Sequence, residues 1–173
     1  MMAAAAAGDP VSANTAIDSL KLRAQAIPLG EAERREVQHK MNGLPAMRLM
    51  GATIDLGDSA IVRLTLLSVS EHHLGGLGTR AVNGAVIAGM FDATLGVAGT
   101  LQFPGQRAGT VELSIKLMRP AFEAPLEMLG VTVKRTPHLA FTEAELHADG
   151  RLCASATGIV ALASSPQQGD SYW

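Results

Sequence analysis

Apolar and polar positions divide the chain into stretches with two different periods. Residues 31–41 (EAERREVQHKM) form a polar helical stretch that follows Pro28 and Gly30 and stops at Asn42-Gly43. Two apolar-rich runs come next, 50–56 and 60–69, separated by Asp55-Leu56-Gly57-Asp58. In the second run Ile61, Arg63 and Thr65 alternate with Val62, Leu64 and Leu66, which suits a hairpin. A loop over 70–80 contains Gly75, Gly76 and Gly78. From 81 to 101 every residue is apolar, small or uncharged except Asp92, and this is read as a buried helix. After Pro104-Gly105 the period falls to two. Val111, Leu113, Ile115 and Leu117 alternate with Glu112, Ser114 and Lys116, and Pro120 closes that strand. Residues 126–134 and 141–148 read as further strands, and Asp149-Gly150 signals a two-residue hairpin into a last strand over 152–162. The predicted order is helix, two strands, buried helix, four strands. A long antiparallel sheet curled around one apolar helix, an α+β arrangement, gives that helix contacts on nearly every side.

Composition narrows the class. Of 173 residues, 47% are hydrophobic and 17% charged, against roughly 25% charged in ordinary soluble proteins, so the chain is no disordered segment. The charge shortfall suggests surface hidden from water. A net charge of −2 leaves no basic surplus for nucleic acid. The single cysteine, Cys153, makes no internal disulfide, and a cytoplasmic location is expected. Residues 1–8 are alanine-rich but lack the basic start and long apolar core of a signal peptide. A flexible segment over 1–30, one domain over 31–163 and a loose tail over 164–173, with the lone Trp173 at its end, complete the expected layout. A transmembrane reading of 81–101 would place the Asp92 carboxylate at the bilayer centre, a cost of several kcal/mol, so no membrane is expected as partner.

Asp92 is the residue with chemistry to explain. Its helical neighbours Ala85, Ala88, Gly89, Gly96 and Gly99 are small, leaving room for another backbone or a thin ligand beside the carboxylate. A hydrogen bond to a neighbouring loop is the structural alternative. At the helix start, Asn83-Gly84 offers free backbone N–H groups and the positive dipole end to a developing oxyanion, or a plain N-cap and a packing residue. Nine residues separate Asn83 from Asp92, roughly 13–14 Å at 1.5 Å per residue, too far for one water to serve both. If the two ends act together they come from different copies, which predicts a dimer with antiparallel central helices.

The stretch from Val82 to Gly96, VNGAVIAGMFDATLG, resembles the helix motif of hotdog-fold thioesterases of the phenylacetic-acid-degradation (PaaI) type. The similarity continues through Thr110-Val111-Glu112-Leu113-Ser114, Leu117-Met118-Arg119-Pro120, Leu139-Ala140-Phe141-Thr142 and Asp149-Gly150-Arg151-Leu152, and covers about 44–162. The resemblance implies a hotdog fold and an acyl-CoA thioesterase that is dimeric at least, with a tetramer open. It implies Asp92 as general base or nucleophile, Gly84 with Ala85 polarising the thioester carbonyl through backbone N–H, and Thr110 positioning water or the carboxylate. No cofactor is implied, because coenzyme A is part of the substrate.

Two departures bear on activity. Asn83 stands where the motif has histidine, and Ala85 where it has a second glycine. Asn83 can donate and cap but does not titrate near neutrality. Some relatives place an asparagine six positions earlier, where this chain has Leu77. Either His72 or His73 supplies the missing polar group on the substrate side, or both are solvated loop histidines. Adjacent side chains diverge, so this pair is no metal site and no metal is expected. Arg119, Lys134 and Arg135 are candidates for the coenzyme A phosphates, or are simply solvated. Glu143, Glu145 and His147 are expected to face water, and Cys153 to be core. Two alternatives accompany the thioesterase reading: a non-catalytic acyl-CoA or fatty-acyl binding module, and a hydroxyacyl-thioester dehydratase, which needs a histidine paired with the helix acid.

Overall fold

The computed structural model describes residues 13–76, 79–122 and 124–163. Three helices come first: α1 (Ala13–Lys21), α2 (Glu31–Asn42) and α3 (Pro45–Met50). Strands β1 (Ala52–Asp55) and β2 (Val62–Leu66) follow, then a short 3-10 turn (Glu71–His73) and a small hairpin of β3 (Leu74–Gly76) and β4 (Thr79–Val82). The central helix α4 (Gly84–Thr100) leads into β5 (Ala108–Leu117), β6 (Leu126–Arg135), β7 (Leu139–Ala148) and β8 (Arg151–Leu162).

The six long strands form one antiparallel sheet in the order β1-β2-β6-β7-β8-β5, with α4 against one face, the hotdog arrangement. Because β2 and β5 lie far apart in that order, the chain between them crosses the sheet as α4. Asp149 and Gly150 both take positive φ, 49° and 67°, as a two-residue turn between right-twisted strands requires. Helix and sheet approach closely at two glycines. A β-carbon on Gly99 would stand 2.5 Å from Val160, and one on Gly130 would stand 2.5 Å from the Thr94 methyl. Buried threonines do not go unsatisfied: Thr94 donates to the Met90 carbonyl at 2.8 Å and Thr132 to that of Ala98 at 2.8 Å.

Four expectations change. The central helix begins at Gly84 behind Asn83, as expected, but Met50 ends α3 instead of starting a strand. The segment assigned to a flexible leader is structured from residue 13 to 30. Leu20 of α1 is wholly buried on the outer face of the sheet against Ile61, Leu129 and Val131, and Gln25 N–H donates to the Thr132 carbonyl. That helix also bears on β7. Arg23 pairs with Glu143, and His147, 7% exposed, lies 3.0 Å from Glu145, so this strand face does not simply meet water.

The fourth change concerns α4. Ile87, Met90, Phe91, Thr94, Leu95, Val97, Ala98 and Gly99 are buried, whereas Gly84, Ala85 and Asp92 are exposed. The sheet covers one side of the helix only. Its open side looked apolar in the sequence because it carries alanine and glycine in place of charged residues. The two sheet edges also differ. At β1 the Asn42 amide of α2 bonds both backbone groups of Ile54, at 2.9 and 2.7 Å, and the Leu56 N–H donates to Gln38 at 2.7 Å. Polar side chains of α2 thus satisfy that edge. At the opposite edge β5 presents ten residues, with Val111 and Leu117 exposed.

Candidate active site

Asp92 lies on the open side of α4 and lines a cavity of about 460 Å³ between that helix, the α2–α3 corner and the start of β5. Met41, Leu44, Met47, Met50 and Ile54 form one wall, while Gly89, Ala93, Gly96 and Val97 form the floor. Asp92 is the only ionisable side chain among the lining residues. It was expected to be buried; instead its carboxylate is exposed within an otherwise apolar concavity.

Thr110 joins Asp92 through a bulge. Strict alternation along β5 would turn Thr110 away from the helix, because Leu113 and Ile115 already pack against the core. The register shifts between Thr110 and Glu112, so Thr110 pairs with Val160 and faces α4. Its Oγ1 stands 3.1 Å from where a β-carbon on Gly96 would be, one helical turn beyond Asp92.

The helix start forms a separate feature. Asn83 Oδ1 accepts the Ala85 N–H at 2.8 Å, and Asn83 N–H donates to the His73 carbonyl at 2.7 Å. The N-cap is therefore real, and it engages the Ala85 N–H that the resemblance offered to a carbonyl. Gly84, exposed and first in the helix, keeps an N–H with no earlier turn to receive it. It lines a cavity of about 250 Å³ with Ile87, Leu117, Arg119 and Pro120, and shares no lining residue with the cavity of Asp92. Within one chain the two ends stay apart.

The histidines part company. His72 is exposed, whereas His73 is 7% exposed. Its Nδ1 accepts the Ser70 N–H at 3.0 Å, so Nε2 carries the hydrogen and donates to the Met50 carbonyl at 3.0 Å. His73 thus ties the methionine wall to the loop before α4, with both ring nitrogens engaged. Arg119 borders a further cavity of about 380 Å³ with Phe122, Asp149, Arg151 and Cys153. Arg135 instead lies over the Phe103 ring, 5.1 Å from its centroid, and neither it nor Lys134 lines these cavities. Cys153 is buried, and that burial pushes its thiol up, away from the thiolate a nucleophile requires. No group of three His, Cys, Asp or Glu side chains suited to a metal occurs among the described residues. Nor is any helix there long and apolar enough to cross a membrane. Leu77 and Trp173 lie outside the described residues.

The methionine wall escaped sequence reading. Its only trace was Met41, Met47 and Met50 within ten residues after a polar helix.

Residues 80–154 match the thioesterase superfamily. The fold is similar to that of a thioesterase from Haemophilus influenzae, at 12% identity over 79% of this chain and 94% of that one, TM-score 0.68. The PaaI protein from the phenylacetic acid degradation operon of Escherichia coli is similar at 15% identity over 78% and 94%, TM-score 0.66. A thioesterase family protein from Silicibacter pomeroyi follows at 21% identity over 77% and 98%, TM-score 0.61. No curated protein matches the chain. The superfamily match spans the central helix and the strands after it as far as 154, within the 44–162 over which the resemblance was read from the sequence.

Proposed function

We propose that this protein is an acyl-CoA thioesterase of the cytoplasm, hydrolysing an acyl-CoA thioester to a carboxylic acid and free coenzyme A between two subunits. The observation that carries the reading is the placement of Asp92, a lone carboxylate that shares an apolar cavity with Thr110 on the exposed face of α4. Asp92 takes a proton from water as the oxygen bonds to the thioester carbon. The oxyanion accepts the Gly84 N–H of the other copy, and Asn83 holds that helix start in shape. The carbon–sulfur bond then breaks, and the thiolate leaves and is protonated. A thiolate departs readily, so one carboxylate and an oxyanion site suffice in place of a full triad.

Two features support pairing of copies. The open side of α4 carries small residues that allow a second helix to approach, and among the described residues no strand lies beyond β5 at its edge. A homodimer brings Gly84 of one copy to Asp92 of the other, and a homotetramer is a further step. The Arg119 and Arg151 guanidiniums beside Phe122 suit the diphosphate and adenine of coenzyme A, because Arg119 and Pro120 also border the Gly84 cavity. Release of free thiol from acyl-CoA esters tests the reading. Asp92→Asn is expected to lower the rate at least about a hundredfold, and equal rates would remove Asp92 from the mechanism.

A non-catalytic acyl-CoA binding module is the second reading. It is favoured by Asn83, whose side chain is engaged in the cap where the family motif has histidine. Calorimetric binding without turnover would select it. The dehydratase reading has less support, because no histidine lines the cavity of Asp92, His73 is bonded to Ser70 and Met50, and His72 is exposed.

A further inference from the structure

Resting on the thioesterase reading, we infer that the acyl group is an uncharged hydrocarbon of about six to ten carbons, seated beside Asp92 against the methionines of α2 and α3. An apolar cavity of roughly 150 Å³ is enough to hold benzene, and this one is about 460 Å³. An acetyl group leaves most of it unfilled. The wall of Met41, Leu44, Met47, Met50 and Ile54 supplies no cation for a terminal carboxylate, and neither does Val97 in the floor. A dicarboxylic monothioester would bring its second charge into apolar surroundings already holding Asp92. Methionine is unbranched and adaptable, so the wall follows a bent chain better than it selects one rigid outline.

The wall is also held in place. The Met50 carbonyl accepts the His73 Nε2–H at 3.0 Å, and the Met50 Cε sits 3.5 Å from where a β-carbon on Gly89 would stand. The thioether therefore lies on α4 one turn before Asp92. A chain attached to a carbonyl at Asp92 runs from that turn toward the α2–α3 corner.

The experiment is a thiol-release series with acetyl-, butanoyl-, hexanoyl-, octanoyl-, decanoyl- and succinyl-CoA. The value of kcat/KM is expected to rise about fourfold per methylene until the cavity is filled, with succinyl-CoA at least about a hundredfold below hexanoyl-CoA. Met50→Ala moves the optimum to longer chains. Ala46→Leu, at an exposed lining position that tolerates the larger side chain, moves it to shorter ones. An optimum at acetyl, parity for succinyl, or an unmoved optimum in both variants overturns the inference while Asp92-dependent hydrolysis leaves the thioesterase reading standing. If no ester is turned over, the hydrolytic reading falls and calorimetry decides the pocket alone. Octanoyl-CoA binding at least about tenfold tighter than acetyl-CoA upholds it, and equal affinities overturn it.

Discussion

The Thr110 hydroxyl oxygen stands 3.1 Å from the position a β-carbon on Gly96 would take, so the candidate site depends on the missing side chain of a helix residue. Gly96→Ala adds helix propensity, about 1 kcal/mol, but makes Thr110 give way by a few tenths of an ångström. We expect a thermal midpoint within a few degrees of wild type and thiol release lowered about tenfold. Thr110→Ser, which keeps the hydroxyl but without the β-branch turns it more freely, is expected to recover part of that loss in the double variant. An unchanged rate in Gly96→Ala would separate Thr110 from the chemistry.

His73 and His72 predict opposite outcomes. His73→Phe keeps the buried ring but leaves the Ser70 N–H and the Met50 carbonyl without partners, at an expected cost of about 1–3 kcal/mol. His72→Phe, at an exposed position, is expected to change stability by less than about 0.5 kcal/mol. Denaturant titration of the two variants measures both. Equal losses would mean that the His73 contacts contribute nothing specific.

Gly99→Ala tests the close approach of α4 to β8. Its β-carbon would stand 2.5 Å from both the Val160 Cβ and a Val160 methyl, a branched side chain fixed in a strand. The overpacking is expected to cost about 1–3 kcal/mol in spite of the better helix propensity. A thermal midpoint at or above wild type would show that the sheet yields there.

Pairing of copies across α4 predicts that Ala88→Arg, on the partly open side of the helix, gives a folded monomer with no thiol release. Sedimentation velocity with the wild type alongside reads the outcome. A monomeric wild type that still hydrolyses thioesters would exclude catalysis between subunits.

Docking of α1 is expected to weaken in acid. Burial pushes the Asp58 carboxyl up, but the Lys21 ammonium at 2.7 Å and the Ala60 and Ile61 N–H groups outweigh it and hold it below the ordinary value. A lowered carboxyl stabilises the fold above its unfolded value, about 3.9, and that contribution is lost as pH falls through the folded value. Lys21 is raised by the same partner, so its share is lost only at high pH. The protection of amides across residues 13–25, measured against their intrinsic exchange rates at each pH, is therefore expected to fall in acid, and less so in Asp58→Asn. Identical acid profiles would rule out the pair as an anchor.

Pattern alone carried the α+β class, the four late strands, the Asp149-Gly150 turn and the attention given to Asp92, because period-two alternation and a lone charge are local facts of the chain, whereas Thr110 entered only through the family resemblance. It misplaced burial. Alanine and glycine read as core whether a sheet or another subunit covers them, so residues 81–101 could not disclose that α4 has an open side. It also passed over α1, whose Leu20 gains a partner only when β6 presents Leu129 and Val131. The methionine wall, the bulge that turns Thr110 inward and the histidine that holds Met50 each depend on residues brought together from separate parts of the chain. The sequence determined which groups are candidates for the chemistry; tertiary structure decided which of them meet, because distance through space is set by packing and not by spacing along the chain.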